Sequence, residues 1–347
     1  MHALASTTPV HLSVTLVGRD QSRLAALADS ASRCAAAGGG KVSPSTIAIN
    51  WADEGQICQV LAALEPKVVV HTASLQSPWT LGGADGWSSL VNECGFGITL
   101  PLHTVLALKL GNCIRNSSPA SHYINACYPD SVNALLLARG IKVTCGIGNV
   151  AILAVLFSEE LRFDPRMRMR IIAHHAHLAA LTNGRLIDDE SMQVWMGDSP
   201  LRADALARVK RMRLVNGPWL NAIAGLEAAP LILSLAGCGP PWTGHSSGPL
   251  GLPGGYPITA NSCGITLDLP AGFSLSEAIR LNREAASLDG VSVGVDGTVT
   301  LSKRAISAIE RNRLWGGTNS DSWAAAEVET EAEQMLRLRD LLGMSQG

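Results

Sequence analysis

The chain has 347 residues, a formal net charge of −2, and 47% hydrophobic against 16% charged residues. That is a globular composition, long enough for two domains and too apolar for a disordered chain. The near-neutral charge gives no general reason to bind nucleic acid or an anionic membrane surface, and no run reaches the roughly 18 apolar residues of a spanning helix.

In chain order, "LSVTLV" (12–17) is a β-branched run ended by Gly18, and "QSRLAALADSASRCAAA" then has helical spacing up to the "GGG" at 38–40. "STIAINWAD" predicts a strand closing on Asp53, "EGQICQVLAALEP" a helix stopped by Pro66, and "KVVVHTAS" a continuous apolar strand of the kind buried on both faces of a parallel sheet. Strand, helix, strand, helix, strand at this spacing is the α/β pattern.

The pattern then changes. "LPLHTVLALKLGN" (100–112) predicts a helix, "SHYINAC" a short strand, and "YPDSVNALLLARG" a turn entering a helix. Residues 150–180 read as helical, another helix covers about 201–213, and the stretch from Gly237 to Pro257 reads as loop. "SLSEAIRLNREAA" is helical, "VSVGVDGTVTLS" a hairpin turning on Asp-Gly, and the tail from 321 an Ala/Glu/Leu/Arg helix. Eight scattered cysteines, none in a CxxC pair, argue against a zinc ribbon and read as reduced thiols of a cytoplasmic protein. The opening residues lack the basic region and long apolar core of a secretory signal.

Three stretches, "VTLVGRDQSRLAALA", "KVVVHTASLQSPW" and "NACYPDSVNALLLARGIKVTCGIGN", together resemble the saccharopine dehydrogenase-like, or opine-type, NAD(P)-dependent oxidoreductases. The resemblance implies a Rossmann-like parallel sheet in residues 1–125. An α+β substrate and dimerisation domain would follow in 126–320, with a final helix in 321–347 packing back on the first domain. It also implies an NADP(H) cofactor, an amino-acid-like small-molecule substrate and a homodimer. In such proteins the residues after the second strand hold the adenosine ribose; here they are Gly18, Arg19 and Asp20, with Ser22 and Arg23 beside them. Arg19 suits a 2′-phosphate, because a guanidinium donates two parallel hydrogen bonds to it. By the same resemblance Asp53 accepts from the adenine, while Thr72, Ala73, Ser74 and Gln76 follow the strand that passes the diphosphate and nicotinamide.

One departure stands out. The family's chains open with a strand and a G-x-G-x-x-G turn whose amides hold the diphosphate, and no such stretch precedes Leu12. The expectation is an incomplete Rossmann-like sheet lacking its first strand: strands two and four pair directly, or the ten leading residues substitute, or, the favoured reading, the chain is an N-terminally shortened copy.

For the chemistry, Tyr128, Asp130, His174 and His175 are the candidates. Asp130 anchors a substrate amine with Tyr128 as proton donor, or else caps the following helix. In "HHAH" (174–177) the choices are core packing, acid/base work by one histidine, or a metal pair; without HExxH or a neighbouring carboxylate, no metal is assigned. Arg162, Arg166, Arg168 and Arg170 read as a carboxylate clamp or a solvated face. "GLPGGYPIT" reads as a lid tipped by Tyr256 or a plain connection, and Asn149 as a ligand contact or a helix cap. The functional expectation is an NADP-dependent reductase of an amino-acid-derived imine or secondary amine. Its alternatives are a cofactor-poor relative kept for binding or assembly, and a non-redox synthase using the same crevice.

Overall fold

The computed structural model describes residues 1–163, 168–187, 190–312 and 321–343. The chain opens with α1 (His2–Thr7), β1 (Leu12–Gly18), α2 (Gln21–Gly38), β2 (Val42–Ala48), α3 (Glu54–Leu64) and β3 (Val68–His71). Local chemistry sets these boundaries. Asp20 caps α2 by accepting from the Arg23 amide, and Asp53 caps α3 by accepting from that of Gln56. β2 therefore ends at Ala48, short of the expected Asp53, whose carboxylate starts the next helix instead.

β1 and β2 pair in parallel, Leu12 opposite Val42 through Gly18 opposite Ala48, as an isolated two-stranded sheet. β3 does not join them. It pairs in parallel with β4 (His122–Asn125), the first of the strands beyond α4 (Gly86–Cys94) and α5 (Leu100–Ser117). In a complete wound sheet one more strand lies between these two edges. Here both edges are open among the described residues, which corrects the expectation that β3 is buried on both faces: Val70 is 36% exposed and Val17 on β1 37%.

After β4 come α6 (Pro129–Ala138), β5 (Cys145–Gly146), α7 (Asn149–Leu161), β6 (Met169–Ile172), α8 (His175–Thr182), β7 (Gln193–Met196), β8 (Ser199–Pro200), α9 (Ala203–Val209) and α10 (Trp219–Leu235). Then follow β9 (Trp242–Ser247), β10 (Gly255–Asn261), β11 (Gly264–Leu267), α11 (Leu275–Leu288), β12 (Val291–Val293), β13 (Val299–Leu301), α12 (Lys303–Asn312), β14 (Ser322–Trp323) and α13 (Val328–Leu341). The largest sheet runs β11-β10-β9-β5-β4-β3, parallel from β3 to β5 and antiparallel beyond, so it takes strands from both sides of residue 126. This is an α/β fold with an incomplete Rossmann-like parallel sheet and a second, mixed α+β part.

Two stretches fold differently from expectation. The predicted helix over 150–180 is broken: α7 stops at Arg162, whose φ is 50°, and β6 pairs antiparallel with β7 before α8 begins. Between Gly237 and Pro257 the expected loop contains β9 and the start of β10. Their polar residues sit inside the sheet because neighbouring backbone satisfies them, as when Ser246 donates to the Gly146 carbonyl at 2.8 Å. Tyr256 is fully buried in β10 and tips no lid.

The main core lies where α3, α5 and α6 meet β4, and α13 packs against α5. A second core gathers α7, α8, β6 and β7. The helical stretch Phe96–Ser117 is long and apolar enough to cross a membrane by composition, against the sequence reading, yet 78% of its 18-residue apolar window is buried within the fold as a core helix is.

Candidate functional site

A cleft of 1620 Å³ runs along the C-terminal ends of the parallel strands. Gly18 and Arg19 line it after β1, Thr72, Ala73 and Ser74 after β3, Cys127 and Tyr128 after β4, and Ile147, Gly148 and Asn149 after β5. Wound sheets bind ligands at this edge, because loops diverge there and helix N-termini converge.

At its inner end five residues form one hydrogen-bonded unit. Asp289, just past α11, is 3% exposed. Its Oδ2 lies 2.7 Å from His175 Nδ1 and accepts the Tyr128 hydroxyl at 2.7 Å. His175, the first residue of α8, has its amide 3.0 Å from Asp130 Oδ1, and the other Asp130 oxygen accepts from Asn149 Nδ2. Asp130 is thus no helix cap: Tyr128 holds the cap position of α6, and the Asp130 carboxylate ties α6 to α7 and α8. Tyr128 sits at φ 48°, a left-handed backbone that a tyrosine adopts only when its surroundings impose it.

The electrostatics follow from this contact. Burial works against a charged His175, but the charge and hydrogen bond of Asp289, helped by Asp130, outweigh it and raise the imidazole above its ordinary value. Burial likewise opposes ionised Asp289, and His175, with Tyr128's hydrogen bond, holds it below the usual carboxylate range. Tyr128 is pushed well up, first by burial and then by Asp289. With Nδ1 engaged, Nε2 is the His175 nitrogen left to the cleft.

The other histidines of "HHAH" do different work. His174 Nδ1 accepts from the Ala176 amide, and His177 Nδ1 accepts from the His174 amide, a reciprocal cap at the start of α8. Among the described residues no group of three or more potential ligands could hold a metal.

Phe96 packs on this unit, its ring centre 4.8 Å from His175 and 5.0 Å from Tyr128. Behind it, at 5.2 Å, is His103, which is 2% exposed, lines the cleft and has no hydrogen-bond partner on either ring nitrogen among the described residues. Burial, then the charge of His175, lowers it to about 3, so it is a neutral imidazole. Sequence reading missed Asp289, Phe96 and His103. Only an Asp-Gly pair marked the first, and nothing set the other two apart from core residues.

Of the expected cofactor residues, Gly18, Arg19, Thr72, Ala73 and Ser74 line the cleft. Arg19 is exposed and forms no ion pair among the described residues. The remaining five are not in its wall. Asp20 caps α2 and faces Arg23 at 3.4 Å, Ser22 is exposed on α2, and Asp53 caps α3. Gln76 is buried, bonded to Ser77, Thr80 and the Trp87 indole, so its amide braces the loop after β3. The arginine clamp does not form: Arg168 and Arg170 pair with Asp268, Arg162 ends α7, and Arg166 lies outside the described residues.

No protein-family model matches the chain, and no curated protein is similar to it. Among solved structures it is similar to malate dehydrogenase of Salinibacter ruber, at 14% identity over 90% of this chain and 94% of that one, with a TM-score of 0.49. Lactate dehydrogenase of Eimeria maxima, solved with NADH and oxamate, gives 12% over 79% and 84%, TM-score 0.48. The Bacillus subtilis protein lplD, assigned as a glucosidase, gives 12% over 99% and 96%, TM-score 0.47. The saccharopine or opine family is not among these neighbours. Likeness at this level carries no argument about activity, and the site must be read from its own geometry.

Proposed function

We propose that this chain is a nicotinamide-dependent oxidoreductase whose proton-handling group is His175. The observation that carries the reading is the Asp289–His175 pair, with the Tyr128 hydroxyl on the same carboxylate, at the C-terminal crest of a parallel sheet. A base oriented by a carboxylate is the arrangement that general acid–base catalysis needs.

The donor set suits a dinucleotide at one end. Arg19 meets a 2′-phosphate, Thr72 and Ser74 lie along the path, and the cleft is spacious enough. The nicotinamide, when bound, exchanges a hydride with the substrate carbon. This chain's residues handle the proton: His175 Nε2 takes it from the substrate N–H or O–H, and Asp289 stabilises the imidazolium. The substrate class we favour is the amino-acid-derived imine or secondary amine, and NADP(H) is the favoured cofactor. A carboxylate on that substrate would not meet Arg168 or Arg170, which are already paired.

Titration of the chain with NADPH, read by energy transfer from Trp51 and Trp79 in the cleft wall, tests this. Saturable binding, weakened by Arg19→Ala by about 10- to 100-fold for NADPH but not for NADH, is expected from losing a charge-assisted hydrogen bond. Absence of binding by a folded chain overturns the reading. One observation favours a second reading, a cofactor-poor binding or assembly protein: the two strands that should flank a diphosphate turn stand with open edges.

A further inference from the structure

On the far side of the Asp289 loop from the cleft lies a separate cavity of 180 Å³. Ile98, Pro101, Val291, Leu301 and Met335 form its apolar wall beside Gly97, and Ser322, Trp323, Glu327 and Glu331 line the rest. Glu331, on α13, is only 9% exposed and makes no hydrogen bond or ion pair among the described residues. Glu327 is exposed, and one of its oxygens accepts from the Ala324 amide at 2.6 Å.

A carboxylate with little water contact and no charged partner is costly, and proteins relieve that cost by protonation or by a counter-ion. Burial, then the charge of Glu327, raises the Glu331 pKa. Among the described residues no lysine or arginine lines the cavity. The wall limits what counter-ion fits. A divalent cation prefers six or more oxygens, and the two carboxylates, one oxygen of Glu327 already bonded to the Ala324 amide, with the Ser322 hydroxyl fall short of that number. A neutral apolar guest would bury the carboxylate still further. An organic ammonium satisfies both halves: its charge meets Glu331 and Glu327, while its carbon atoms meet the aliphatic wall and the indole of Trp323.

We propose that this cavity is a binding site for a small organic ammonium ion, with Glu331 as its buried anion and Trp323 as its aromatic wall. An apolar cavity of about 150 Å³ holds one benzene-sized guest, so the ligand has about six or seven heavy atoms. The site also shares a wall with the catalytic unit. Phe96 and Asp289 face the cleft, whereas Ile98 and Val291, two residues further along each segment, face the cavity. The segments are joined where the Gly97 amide donates to the Asp289 carbonyl at 2.6 Å. A guest in the cavity therefore bears on the loop that holds the His175 partner. The proposal does not depend on the oxidoreductase reading.

Calorimetric titration of the full chain with tetramethylammonium and with propylammonium chloride, against sodium chloride at equal ionic strength, tests it. Saturable binding of one of them in the millimolar range is expected for so few atoms. Glu331→Gln keeps the shape and removes the charge, and should weaken binding by about tenfold or more without lowering the melting temperature. Should that variant not fold, Glu327→Gln at the exposed rim carries the same comparison, with a loss of about threefold. No saturable binding of either ion, or equal affinity in the wild type and the folded glutamine variant, overturns the assignment.

Discussion

Asp289 Oδ2 receives the Tyr128 hydroxyl and faces His175 Nδ1, both at 2.7 Å, so removing its charge touches two partners at once. Asp289→Asn should cost about 1–3 kcal/mol of stability and return the His175 imidazole to a lower pKa, visible in an NMR titration of its ring protons. The signs of the pair are opposite. His175 is raised in the folded state, so its contribution is complete below its unfolded value and is lost as pH rises through the folded one. Asp289 is lowered, so its contribution is complete above its unfolded value and is lost as pH falls. Under the oxidoreductase reading, His175→Asn should abolish turnover while cofactor affinity stays within about twofold. The reductive rate should fall as pH rises through the raised His175 value, because the imidazole then has no proton to give; a flat profile would count against this role. Tyr128, Asp130 and His175 were legible from the sequence because Pro-Asp and the histidine run mark themselves. Asp289 was not, because 114 residues separate it from His175 and only the folded chain brings them together.

The segments 95–97 and 289–291 set the position of that carboxylate. Gly95 has φ 106°, and a Cβ there would lie 2.4 Å from the Asp289 carbonyl oxygen. Gly95→Ala must therefore push the Asp289 loop away, and a fall in melting temperature together with a lowered His175 pKa would show it. A second element stands out for its weakness. Among the described residues the β1–α2–β2 unit has a two-stranded sheet and only Ala31, Ala35 and Val42 buried among its core residues, apart from Ala5 of α1. Its amides should exchange with solvent at least about a hundredfold faster than those of β9 and β10, as two-stranded sheets are marginal. Comparable protection would mean that the β1 edge is covered in solution. The elements legible in sequence were those with local punctuation: Gly18 ending β1, the glycines from Gly38 ending α2, and Asp296-Gly297 in the β12–β13 turn, where Gly297 has φ 81°, whereas Asp20 and Asp53, read as cofactor residues, are helix caps. β6 and β9 were hidden because their short runs mix polar and apolar residues without helix or strand period. Pairing with distant strands decides their conformation.

Across the whole molecule, buried neutral histidines govern the response to acid. His71 and His245 are lowered to about 4 and His103 to about 3, in each case chiefly by burial, and His174 is lowered as well. The unfolded chain binds these protons first, so stability must fall as pH drops below the unfolded value near 6.5. Each of the first three contributes up to about 2 kcal/mol of this loss by pH 5, opposed only in part by His175. Urea denaturation at pH 7 and pH 5 measures it; unchanged or greater stability at pH 5 would show that these rings are solvated. The large sheet has one more consequence, in time rather than in energy. Its two halves, β3-β4-β5 and β9-β10-β11, pair as strands among the described residues only where β5 lies against β9, Gly146 opposite Ser247, with the Ser246 hydroxyl across the seam from about 100 residues away. Each half can assemble from nearby sequence, but the seam must wait for a long loop to close. It is therefore expected to form late in folding, and Ser246→Ala should hasten unfolding while leaving the folding rate nearly unchanged.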